Sequence, residues 1–108
     1  MNPEEKRSHP RLERNESAFI RVLLGDGKSI ETETEDVSSG GFKARLSHYI
    51  EPGVILHVVI EAGNPKIRFL LAGELRWCRP DEQWFLAGFE LLDAQDTDYS
   101  SWQLFASL

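Results

Sequence analysis

Apolar residues in this chain gather in short runs rich in β-branched and aromatic side chains, separated by glycine, proline and aspartate. Residues 16–24 are dominated by β-formers and lead into Gly25-Asp26-Gly27, whose Asp-Gly pair is typical of hairpins. Residues 29–35 show the polar alternation of a strand with one wet face, and in residues 41–46 Phe42, Ala44 and Leu46 share a face at period two. Glu51-Pro52-Gly53 is a turn signal before residues 54–61, and Gly63-Asn64-Pro65 ends that run before residues 66–79. Pro80-Asp81 then turns the chain into residues 83–92, with Phe85, Ala87, Phe89 and Leu91 on one face. Six strands with no helical pattern between them predict a mostly β fold. Closure removes exposed edges, which favours a six-stranded antiparallel barrel over an open sheet. Near the end, Asp96-Thr97-Asp98 offers N-caps, and Tyr99, Trp102, Phe105 and Leu108 recur every three residues, predicting a short C-terminal helix that plugs one barrel end. Trp77, Trp84 and Trp102 are assigned to the core or to barrel closure.

Length adds the domain count: 108 residues suit one core. The division that follows is an arm over 1–15 and a single barrel domain with its helix over 16–108. No apolar run approaches the roughly 20 residues of a membrane span, and no charged segment followed by an apolar one opens the chain, so we expect a cytoplasmic protein without membrane insertion. The single Cys78 has no intramolecular partner and reads as a half-buried strand residue. Net charge is −6, against binding to a nucleic-acid polymer, where a basic stripe should dominate. Charge is uneven, however: residues 1–14 carry four bases (Lys6, Arg7, Arg11, Arg14) against three acids, so a flexible cationic arm precedes an acidic body.

Two motifs sit on these features. Arg7-Ser8-His9-Pro10-Arg11 is an RxxxR arrangement in the arm, and Asp36-Val37-Ser38-Ser39-Gly40-Gly41 is a DxSxxG turn between the second and third strands. Their order, their separation of about 25 residues and the strand pattern that follows resemble the PilZ domain, the bacterial receptor family for the second messenger cyclic di-GMP. Gly73-Glu74-Leu75-Arg76-Trp77 and Ala87-Gly88-Phe89-Glu90 are similar to strand signatures of the same family.

The resemblance implies a cyclic di-GMP receptor or adaptor, not an enzyme, that signals to a separate downstream protein effector. Residue chemistry agrees. Arginine presents a planar fork of donors suited to O6 and N7 of guanine or to two phosphate oxygens, making Arg7 and Arg11 the leading contacts. Pro10 disfavours helix at His9, so the pair is expected on an extended loop that wraps the ligand. Asp36 is an acceptor for the N1–H and N2–H₂ edge of guanine, and Ser38 can donate to a phosphate or a base. Gly41, with Gly40, is expected to turn at positive φ and let the backbone approach the purine. Lys6, His9, Ser39 and Gly40 are secondary contacts. The alternative is a PilZ-like protein-interaction adaptor that does not bind cyclic di-GMP. A small RNA-binding barrel is disfavoured by the acidic body. His9, His48 and His57 have no metal-ligand spacing, and Ser38 sits on no nucleophile elbow, so neither metal, cofactor nor catalysis is expected. Glu31, Glu33 and Glu35 share one strand face and read as solvated.

Overall fold

The computed structural model describes residues 18–34 and 36–107. Strands β1 (Ala18–Leu23), β2 (Ser29–Thr34), β3 (Gly41–Leu46), β4 (Ile55–Ala62), β5 (Ile67–Asp81) and β6 (Trp84–Leu92) are followed by helix α1 (Tyr99–Ala106). Every ladder is antiparallel, and the order across the sheet is β2-β1-β4-β5-β6-β3. The two ends of that order, β2 and β3, return against each other without a ladder, which makes a nearly closed barrel and leaves little free edge.

Period-two alternation selects the inner face. Ala18, Ile20 and Val22 of β1 are buried, as are Phe42, Ala44 and Leu46 of β3, the three residues that alternation had grouped. Val58, Ile60, Leu71, Leu75, Ala87, Phe89 and Leu91 complete the interior, each large aliphatic side chain contributing about 1.5–3 kcal/mol by leaving water. On β2, Glu31 and Glu33 face solvent while Ile30 packs against the core.

The predicted turn at Pro80-Asp81 lies instead at residues 82–83. Strand β5 runs on through both residues, pairing Pro80 with Phe85 and Asp81 with Trp84, and Glu82 takes the left-handed conformation (φ 57°). The β4 ladder stops at Glu74, and Leu75 bonds to Gly53 and Val54 just before β4, so further along one edge of β5 has no ladder partner and a residue without an N–H is tolerated.

Eight residues are too few for α1 to hold itself together in water, where about 12–15 are marginal. Tertiary contacts hold it. Trp102 is 0% exposed, edge-on to Phe69 at 5.1 Å between ring centroids, with Phe105 at 5.7 Å. Asp98 precedes the helix as expected but makes no side-chain cap. Its backbone N–H donates to the Leu70 carbonyl (2.7 Å), and its Oδ2 accepts from the Leu70 N–H (2.7 Å), clamping the helix start to β5.

Only Trp102 of the three tryptophans is a core residue. Trp84 is 40% exposed, and Trp77 is half-buried on the outside of the barrel. The cause is a β-bulge: Leu75 pairs with Phe89 but Trp77 with Gly88, which leaves Arg76 as the extra residue. Strict alternation from the buried Leu75 puts Trp77 inside. One inserted residue puts it outside, beside Arg76.

Candidate functional site

The DxSxxG turn is built by the same alternation as the strands. Val37 and Ser39 face inward and are buried, Val37 bridging to Phe42, whose ring stacks on Phe89 at 4.8 Å. Asp36, Ser38 and Gly40 are left on the outer side, where they line an open groove of ≈ 310 Å³ with Gly41 and Lys43. Backbone bonds hold the turn rigid: Lys43 N–H donates to Asp36 O (3.1 Å), Ser38 N–H to Gly41 O (2.9 Å) and Leu91 N–H to Gly40 O (2.9 Å). The Ser38 hydroxyl is held loosely, accepting from Gly40 N–H at 3.3 Å and donating to Gly41 O at 3.5 Å, so it can turn to a stronger partner.

Opposite the turn, the bulge supplies the other wall. The Trp77 indole lies flat against Gly88, so close that a Cβ there would meet ring atom Cζ2 at 2.7 Å, with Nε1 and Cε2 nearer still. The Arg79 guanidinium sits 4.9 Å from the same ring's centroid, within cation–π range. Arg76 Nη1 contacts Glu90 Oε1 at 2.7 Å and Glu74 Oε1 at 3.8 Å, while Lys43 Nζ lies 3.1 Å from Asp36 Oδ2. All these side chains are substantially exposed, and such pairs contribute only about 0–1 kcal/mol each to stability. They are therefore cheap to rearrange. The groove thus offers two cations for anionic oxygens, a carboxylate for N–H donors and an indole for a planar base.

A PilZ domain family model matches residues 5–105 of this chain. The chain belongs to the PilZ domain family. PilZ domains are ligand-binding adaptors that take cyclic di-GMP and act through effector proteins. The structure is similar to that of the Bacillus subtilis inhibitor of motility (MotI/DgrA), with a TM-score of 0.71 and 16% sequence identity. The likeness covers 99% of this chain and 55% of that one, so this chain spans little more than half of it, and at that identity the likeness is one of fold. No curated protein matches the chain significantly.

In this PilZ domain, Asp36, Ser38, Gly40 and Gly41 come together on one groove wall. Ser39 does not join them: it is 3% exposed, and its carbonyl accepts from Gln103 Nε2 of α1 at 2.6 Å. Arg7 and Arg11, with Lys6 and His9, lie outside the described residues. The glycines differ from expectation in their reason. Left-handed glycines are Gly27, Gly53 and Gly63, not those of the turn. Gly41 is required by the fold itself, because a Cβ there would strike the Phe89 carbonyl oxygen on β6 and stand 3.3 Å from its carbon.

Sequence reading missed Lys43, Arg76, Trp77 and Glu90 as wall residues. Lys43 and Glu90 were visible as outward positions of their strands. The bulge that aims Arg76 and Trp77 had no local signal. Among the described residues no cluster of His, Cys, Asp or Glu could hold a metal, and no helix is long and apolar enough to cross a membrane.

Proposed function

We propose that this PilZ domain binds cyclic di-GMP in the groove beside its DxSxxG turn and passes the signal to a separate protein. The observation that carries the reading is the convergence of Asp36, Ser38 and the cationic and indole side chains of the bulge on one groove. Asp36 takes the N1–H and N2–H₂ edge of a guanine, displacing Lys43, which is then free to meet a phosphate. Trp77 offers its outer face to a purine once the exposed Arg79 guanidinium over it swings aside, and Arg76 a second cation.

At ≈ 310 Å³ and open to solvent, the groove is at the small end of the roughly 300–1,000 Å³ typical of ligand sites. A dinucleotide there needs a further wall. Arg7 and Arg11 of the N-terminal segment are the residues suited to it, reading O6 and N7 or clasping phosphate oxygens. A Kd near 1 μM needs about 8 kcal/mol net, which a few charge-assisted hydrogen bonds of about 1.5–3 kcal/mol supply after ordering costs.

Isothermal titration with cyclic di-GMP, with GTP and GMP as controls and at two salt concentrations, tests the reading. Saturable binding selective for the cyclic dinucleotide and weakened by salt supports it. Absence of binding at high micromolar ligand favours an adaptor that works by protein contacts alone.

A further inference from the structure

The DxSxxG turn is held from three sides. Strand β3 closes it through Lys43 and β6 through Leu91, both by backbone bonds. The third hold is a side chain from 64 residues away: Gln103 Nε2 donates to the Ser39 carbonyl at 2.6 Å. Ser39 is the inward residue between Ser38 and Gly40, so the bond pins the middle of the segment whose outer residues line the groove.

Helix α1, which carries Gln103, is otherwise held by its apolar face and by one clamp at its start. Its start is clamped to Leu70 by Asp98, and Trp102 and Ala106 seat it in the core. It has no side-chain N-cap, no acid in its first turn and no base in its last, so its position depends on these tertiary holds. Gln103 is therefore the link between a marginal helix and the ligand turn.

We propose that Gln103 is a positioning residue for the cyclic di-GMP site and that, through the Ser39 carbonyl, occupancy of the groove is coupled to the docking of α1. The proposal rests on the cyclic di-GMP reading of the groove. Coupling is reciprocal: whatever α1 contributes to ligand affinity, ligand returns to helix docking. Where the whole of that hydrogen bond is coupled to ligand, its loss changes affinity by about fivefold to tenfold.

Gln103→Glu keeps size and shape but sets an acceptor against the Ser39 carbonyl, and Gln103→Lys keeps a donor. The readouts are titration with cyclic di-GMP, hydrogen exchange with and without it, and melting temperature as a control for folding. In ligand-free Gln103→Glu, the amides of Leu91 and Ser38, which donate to the Gly40 and Gly41 carbonyls directly after the pinned one, exchange faster than in wild type. Affinity falls about fivefold or more, ligand no longer protects residues 99–106, and Gln103→Lys restores both. A purely structural role would lower the melting temperature while leaving the affinity of the folded protein unchanged. Wild-type affinity and wild-type ligand protection in Gln103→Glu overturn the proposal. Wild-type protein that binds without any change in exchange over 99–106 overturns the coupling and leaves the receptor reading standing; wild-type protein that does not bind overturns both.

Discussion

Gly41→Ala separates two reasons for a glycine in the DxSxxG turn. If glycine serves only to admit a purine, alanine leaves the fold intact and abolishes binding. The structure gives a different reason: the new Cβ would strike the Phe89 carbonyl oxygen and stand 3.3 Å from Phe89 C and 3.5 Å from Glu90 Cα, all backbone of the paired strand. Backbone cannot swing aside as a side-chain end does, so β3 and β6 must separate at the Gly41–Glu90 pair. Overpacking of this kind costs about 1–3 kcal/mol, and straining the Ser38–Gly41 and Leu91–Gly40 hydrogen bonds adds about 0.5–1.5 kcal/mol each. We expect about 3 kcal/mol in all, a large share of the roughly 5–15 kcal/mol that holds a domain folded. Thermal unfolding should shift down by about 10–20 °C, and the urea midpoint should fall with little change in slope. An alanine variant that melts within about 2 °C of wild type while losing cyclic di-GMP binding would refute the packing argument and return Gly41 to a ligand role.

Gly88→Ala meets an indole rather than backbone, so its cost is smaller, about 1–2 kcal/mol, and the displaced Trp77 should shift tryptophan emission to the red, a shift absent in a Trp77→Phe background. Trp102→Ala should cost about 3–5 kcal/mol in urea unfolding, whereas Trp102→Phe should cost only about 1–2 kcal/mol, because the buried Nε1 has no partner among the described residues and phenylalanine forfeits volume alone. Asp98→Ala removes the acceptor for Leu70 N–H and should cost about 1–2 kcal/mol, with faster amide exchange across α1; Asp98→Asn, which keeps an acceptor oxygen, should recover most of it. Under the cyclic di-GMP reading, Arg7→Ala or Arg11→Ala should each weaken titrated binding by about 2–5 kcal/mol without moving the melting temperature, and unchanged isotherms for both would remove them from the site.

Local pattern was enough for the strands, their inward faces and the turn, because each depends on neighbours in sequence. Phe42, Ala44 and Leu46 point inward wherever their strand pairs, and Asp36-x-Ser38 puts two polar side chains on one side of any extended backbone. The same locality made the apolar spacing of Tyr99, Trp102 and Phe105 and the wet face of β2 legible, although tertiary contacts hold the helix. What could not be read locally depends on register between strands distant in the chain. The bulge at Arg76 exists only relative to β6, and it alone turns Trp77 from the core side to the groove side. Gly41 is constrained by a carbonyl nearly fifty residues later, and Ser39 is pinned by Gln103. Sequence by itself therefore determined which residues have the chemistry to bind a guanine nucleotide, since donors and acceptors are properties of side chains. Only the tertiary structure decided which of them share a groove and which helix holds its floor, since hydrogen bonds and steric contacts act over a few ångströms whatever the distance along the chain.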